Sequence, residues 1–225
     1  ICVRLVGSEM CIRDSVCMDK NYFRVVSSAA TREHDKHHIL KYLDEDVSFK
    51  DVTEDICCLG LFGPKSREMI SKISNDDFSN DKFKFGTGKF IMINGVKVWA
   101  QRLSYVGELG FELYIDSSLA RDLYGILIEE GKNFELSHCG MHAMDIMRME
   151  SGFVHWGHDI SPEENQYQAG LKFAISYRKN VNFIGKDALL KIKDQKLDKR
   201  MMMFTLKDSK PCLLYTSDAA DDHHR

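Results

Sequence analysis

Apolar positions fall in short blocks whose period changes along the chain. Residues 22–26, Tyr-Phe-Arg-Val-Val, read as a short strand, and the polar stretch 31–43 reads as a helix. Between 55 and 62 the run Ile56-Cys57-Cys58-Leu59-Gly60-Leu61-Phe62 is apolar throughout, which predicts a strand buried on both faces. Gly63-Pro64 turns the chain, and Pro64 suits the first turn of a helix reaching residue 73. Met69, Ile70 and Ile73 are spaced to share its buried side. The clearest local signal is Asn94-Gly95 between two apolar runs, 90–93 and 96–99. That pair accepts positive φ and predicts a two-residue β-hairpin.

A further strand is expected at 111–115. Ser117 or Ser118 would cap a helix to residue 131, with Leu119, Leu123, Ile126 and Leu127 on one face. Helices are expected at 141–151 and 184–195, and strands at 171–176 and 201–206. Strands and helices interleaved with an antiparallel hairpin predict an α+β fold, antiparallel sheets with packed helices. No internal repeat or Pro/Gly/Ser-rich linker appears. The charged stretch 191–200 is the one candidate boundary.

Composition narrows the class. The 225 residues are 44% hydrophobic and 29% charged, which excludes disorder and fits one large domain or two small ones. A net charge of −3 argues against nucleic acid as partner, since a broadly basic surface is missing. No apolar run approaches the roughly 20 residues of a membrane span. The two ends are unusual. Glu9-Met10-Cys11-Ile12-Arg13-Asp14 and Cys212-Leu213-Leu214-Tyr215-Thr216-Ser217 can be encoded by stretches of DNA that are reverse complements of one another. They resemble the inverted end of a transposon-based sequencing adapter read in frame. Residues 1–15 and 212–225 are therefore expected to be adapter-derived, and 16–211 to be a fragment of a longer gene. Within it, Cys17, Cys57, Cys58 and Cys139 read as reduced, buried thiols, because no CxxC spacing occurs.

Candidate chemistry lies in three places. Tyr105-Val106-Gly107-Glu108-Leu109-Gly110-Phe111-Glu112 joins two strands through a loop whose glycines let backbone approach a ligand. Glu112 sits inside a strand, where a carboxylate is costly unless a polar partner or ligand satisfies it. With Phe111 facing the core, Glu112 is expected on the opposite face and Tyr114 inward again. Asp145 and Arg148, three apart on a Met-rich helix, can pair with each other, or Arg148 can offer its planar fork to a substrate carboxylate. His155-Trp156-Gly157-His158-Asp159 is polar, aromatic and tight. Its two histidines lack further ligands at defined spacing, so no metal is expected. His34, His37 and His38 read as solvated.

The blocks Leu59 to Glu68, Tyr105 to Glu112, Arg148-Met149-Glu150, Gly157-His158-Asp159-Ile160 and Asn182 to Leu190 occur in an order that resembles the folate-binding aminomethyltransferase family, whose best-known member is the glycine cleavage T-protein. The Ser104 to Gly110 segment and the run from His155 to Glu164 are most similar to the C-terminal half of dimethylglycine and sarcosine dehydrogenases. T-proteins usually carry a tyrosine where Trp156 stands. The resemblance implies a folate-binding domain over 16–200 and the start of a C-terminal β-rich domain over 201–211. It implies a tetrahydrofolate pocket in which Glu112 accepts the pterin's N–H edge, Tyr105 and Trp156 supply aromatic walls, and Arg148 organises the site or contacts an anionic group. The family's catalytic aspartate would lie before residue 16, and FAD in a domain further upstream. The implied parent protein oxidises an N-methyl amine and captures the one-carbon unit as 5,10-methylenetetrahydrofolate, the fragment alone being inactive. Its compartment would be the cytoplasm, or the mitochondrial matrix in a eukaryote. No residue identifies the electron acceptor. Alternatives are a stand-alone aminomethyltransferase or related folate-dependent demethylase, and a non-catalytic folate-binding scaffold.

Overall fold

A computed structural model describes residues 13–178 and 182–205. Six strands and five helices follow in the order β1 (Arg13–Asp19), β2 (Tyr22–Ser27), α1 (Arg32–Lys41), β3 (Ile56–Phe62), α2 (Ser66–Ile73), β4 (Gly88–Ile93), β5 (Val96–Gln101), β6 (Gly110–Asp116), α3 (Ala120–Gly131), α4 (Met141–Glu150) and α5 (Lys186–Ile192). Strands β3-β6-β5-β4 form one sheet in that order, with every neighbouring pair antiparallel. β1 and β2 form a separate antiparallel hairpin. The Asn94-Gly95 turn closes β4 onto β5 as its sequence predicts, with φ of 45° and 83°.

One face of the four-stranded sheet carries the core. Ile91, Ile93, Val98, Ala100, Phe111, Leu113 and Ile115 alternate inward along β4, β5 and β6. Met69, Ile70 and Ile73 of α2, with Leu123 and Leu127 of α3, cover them at helical spacing. Phe78 and Phe83, from the segment after α2, close on Phe111 with ring centroids 5.5 and 5.6 Å away.

Several expectations need correcting. β3 is an edge strand, so its apolar run is not buried on both faces. Leu61 points into the core while Cys58 and Gly60 are exposed. The residue that caps the turn before α3 is Asp116, whose carboxylate accepts from the Ser118 backbone N–H at 2.9 Å. Residues 171–176 form no strand. Lys172–Ala174 is a short 3-10 turn, and among the described residues no neighbouring strand lies alongside to complete a ladder. Among the described residues of 201–206 no strand forms either, and Met202, Met203 and Phe204 are exposed. Leu206 lies outside the described residues. β1 itself was not foreseen, and it begins three residues inside the stretch read as adapter-derived. Backbone pairing in an antiparallel hairpin tolerates most side chains, so its presence does not decide where those residues came from.

Candidate functional site

Two-residue alternation dictates what the second face of the sheet carries. The register sets Glu112 opposite Gly60 on β3 and Gln101 on β5, and Gln101 opposite Gly88 on β4. The next row places Cys58, Tyr114, Trp99 and Phe90 side by side. Tyr114 therefore shares the face of Glu112, against the expectation that it turns inward. The phenol donates to the Glu112 carboxyl at 2.6 Å.

The glycines at the ends of the Glu112 row make room for flat rings. A Cβ at Gly60 would come within 2.5 Å of the Phe62 ring, and one at Gly88 within 2.4 Å of the Trp99 ring. The two polar residues thus sit between two aromatic groups. Val16 of the β1–β2 hairpin packs on Trp99 and Tyr114, and the Arg24 guanidinium stands 5.2 Å from the Tyr114 ring centroid. The hairpin covers the Tyr114–Trp99 row.

Burial raises the Glu112 carboxyl above its ordinary value, and the bond from Tyr114 works against that rise. Burial and the neighbouring Glu112 charge also push the Tyr114 phenol upward. Around them, the Trp99 indole N–H, both polar atoms of the Gln101 carboxamide, and the Nε and Nη1 of Arg24 are buried without a hydrogen-bond partner among the described residues. Buried polar groups are ordinarily paired, and each one left unpaired costs about 1–3 kcal/mol. Such a concentration of unmet donors and acceptors is what a polar ligand edge would satisfy. The donor and acceptor set on this face fits tetrahydrofolate's amino-pyrimidinone rim: a carboxylate for its N–H pair, a carboxamide beside it, and rings to either side. Sequence reading singled out Glu112 and did not single out Gln101, Trp99, Phe62 or Arg24, which lie beside it or beside Tyr114. The signal was available in the alternation of 99 and 101 with 98 and 100, but only the pairing of β5 with β6 puts them beside Glu112.

Tyr105 and Arg148 meet in a second cluster, around the turn that follows α4. Arg148, 7% exposed, donates to the Asp145 carboxylate at 3.3 Å, to the Phe153 carbonyl at 3.1 Å and to the Asp159 carboxylate. Asp159 also accepts the His155 backbone N–H at 2.7 Å. Burial opposes the Arg148 charge, and Asp159 and Asp145 outweigh it, so the guanidinium is held above its ordinary value. The Tyr105 hydroxyl donates to the Val154 carbonyl at 3.1 Å, and its ring stacks on Phe153 with centroids 6.2 Å apart. Half-buried Trp156 lies in the same turn, where its backbone bridges to Ile160. Gly107 seats the Tyr105 loop against the end of α4. Its φ is 74°, and a Cβ there would stand 1.9 Å from the Ser151 hydroxyl. The structure thus gathers Tyr105, Arg148 and Trp156 around one turn and sets Glu112 on the sheet. No hydrogen bond or ion pair among the described residues joins the two groups.

These elements make an α+β domain, an antiparallel sheet with helices on one face and a carboxylate-bearing polar row on the other. The glycine cleavage system aminomethyltransferase T from Bartonella henselae has this fold, with a TM-score of 0.62 at 22% identity, covering 76% of this chain and 45% of that one. Residues 10–179 match the GCVT N-terminal domain, and the chain belongs to that family. It is 40% identical over 165 residues to 4-methylaminobutanoate oxidase (formaldehyde-forming) of Paenarthrobacter nicotinovorans, covering 73% of this chain and 20% of the oxidase. To the mitochondrial dimethylglycine dehydrogenase of Homo sapiens it is 32% identical over 191 residues, covering 82% of this chain and 22% of the dehydrogenase. The chain spans about a fifth of the length of these two relatives. No helix among the described residues is long and apolar enough to cross a membrane.

Proposed function

We propose that this chain is the tetrahydrofolate-binding part of an oxidative N-demethylase acting on a small N-methyl amine such as dimethylglycine or sarcosine. One observation carries the reading. A strand carboxyl, Glu112, sits between aromatic rings beside unpartnered polar groups, in a chain that belongs to an aminomethyltransferase-like family. Bound here, tetrahydrofolate supplies nucleophilic nitrogens that accept a one-carbon unit. Glu112 accepts the pterin's paired N–H groups, and Tyr114 fixes the carboxyl through its 2.6 Å bond. Arg148 acts as an organiser, since its fork is already engaged by Asp145, Asp159 and Phe153 and so holds the turn that presents Tyr105 and Trp156. Enclosure favours capture of the one-carbon unit by proximity and orientation. The family's catalytic aspartate would lie before residue 16, and the amine would be oxidised at FAD in a domain further upstream. The run from His155 to Glu164 favours this over a stand-alone transferase, while oxidases, dehydrogenases and aminomethyltransferases are all among the chain's relatives.

The test has two parts. The parent protein should show flavin absorbance and convert an N-methyl amine with tetrahydrofolate into 5,10-methylenetetrahydrofolate. By calorimetry, Glu112→Ala should weaken folate binding at least tenfold, as expected for loss of a charge-assisted pair. Unchanged affinity in that variant would reject Glu112 as the anchor.

A further inference from the structure

We infer that Gln101 is a second ligand anchor. Its carboxamide N–H donates to a ring carbonyl that adjoins the N–H pair Glu112 accepts. The inference deepens the folate reading above and rests on it.

Gln101 is 0% exposed, yet it is a glutamine in a strand whose other face is wholly apolar there. Both its donor and its acceptor lack partners among the described residues. Leaving a buried amide unpaired shifts an equilibrium by roughly ten- to a hundredfold, so such a group is retained where a partner arrives later. The register says where that partner would be. Gln101 is the direct cross-strand neighbour of Glu112, and the two outer positions of their row, Gly60 and Gly88, carry no side chain that could bond to either. The rings of Phe62 and Trp99 lie across those glycines, so the two polar groups of the row are flanked by flat rings. A carboxylate only accepts. A carboxamide also donates, and so reaches the ring carbonyl that a carboxylate cannot bond. Carboxylate and carboxamide side by side therefore match a heterocycle that presents an N–H pair and an adjoining carbonyl, and they discriminate against a ligand bearing donors alone. The unpartnered Trp99 indole N–H, one row away, adds a further donor at the same edge.

The experiment titrates the 225-residue chain with 5-formyltetrahydrofolate by calorimetry and follows its thermal unfolding without ligand. Gln101→Met keeps the side chain's length and volume while removing both hydrogen-bonding groups, and Gln101→Leu is the second variant. Both should bind at least tenfold more weakly, while their ligand-free melting midpoints stay equal to or above that of the unsubstituted chain, because an unpaired buried amide has been removed. A merely structural glutamine behaves the opposite way. Lowered midpoints with unchanged affinity, or failure of both variants to fold, would overturn the assignment. Binding in the unsubstituted chain that is lost in Glu112→Ala but kept in both Gln101 variants sinks the Gln101 assignment alone. A flat heat trace from the unsubstituted chain sinks the folate reading and this inference together.

Discussion

The two faces of the β3-β6-β5-β4 sheet are built from the same strands and differ in kind. Val98, Ala100, Phe111 and Leu113 face helices α2 and α3 and are all at 0% exposure. One residue along in each case lie Trp99, Gln101, Glu112 and Tyr114, and most of their polar atoms are unpartnered or bonded only to each other. A period of two lets one strand meet two unrelated demands at once. The helix-covered face supplies burial, while the opposite face is free to hold groups that would be poor choices for stability. Substitutions at adjacent positions should therefore separate folding from binding.

The largest effect belongs to the covered face. Phe111→Ala removes a ring packed against Phe78 and Phe83 and should cost about 3–5 kcal/mol in chemical denaturation, enough to leave little folded protein at 37 °C. A loss below about 1 kcal/mol would mean that the ring trio is not the core. Next in size is Asp159→Asn in the Arg148 turn. The amide keeps an acceptor but drops the charge facing a buried guanidinium. Breaking a fully buried pair is severe, but the Asp159 side chain is 30% exposed, so a loss of about 1–2 kcal/mol is expected. Loss of the 153–159 amide protection in hydrogen exchange, with the sheet unaffected, would accompany it. Gly107→Ala should cost about 1 kcal/mol, combining positive φ with the clash on Ser151. Ser151→Gly in the same chain should recover the steric part only, and full recovery would show that the backbone angle carries no strain.

Much of the fold was legible because its signals are local. The Asn94-Gly95 turn, the helical spacing of Met69, Ile70 and Ile73, and the strand at Phe111 to Ile115 each follow from a few adjacent residues. The misses are long-range. Nothing near residues 171–176 says that no strand will lie beside them, and an apolar run such as 56–62 reads the same at a sheet's edge as at its centre. The candidate site divides likewise. Glu112 stood out as a carboxylate in an apolar strand, and Arg148 and Tyr105 through their motifs. Gln101, Phe62 and Trp99 join it only through the pairing of strands 11 to 50 residues apart in sequence, which no local pattern encodes.

The smallest stability effect is the one that most sharply divides the faces. Glu112→Gln keeps shape and a hydrogen-bond acceptor for Tyr114 while removing the ionisable proton. In the folded chain burial holds the Glu112 carboxyl above its ordinary value of 4.5. A raised carboxyl means that the folded state binds its proton more tightly than the unfolded chain does. That contribution is fully present below the unfolded value and is lost as pH rises through the folded one. The unsubstituted chain should therefore lose stability relative to Glu112→Gln as pH rises above the ordinary carboxylate value of 4.5, and the Tyr114 bond, which works against the burial, keeps that loss small. Thermal midpoints measured in parallel across that range check the sign. If the unsubstituted chain instead gains on the variant as pH rises, the carboxylate is already satisfied without a ligand, and the polar face is a structural network like any other. If it loses ground while also binding folate more tightly than Glu112→Gln does, the same carboxyl is a burden to the folded chain and an anchor for the ligand.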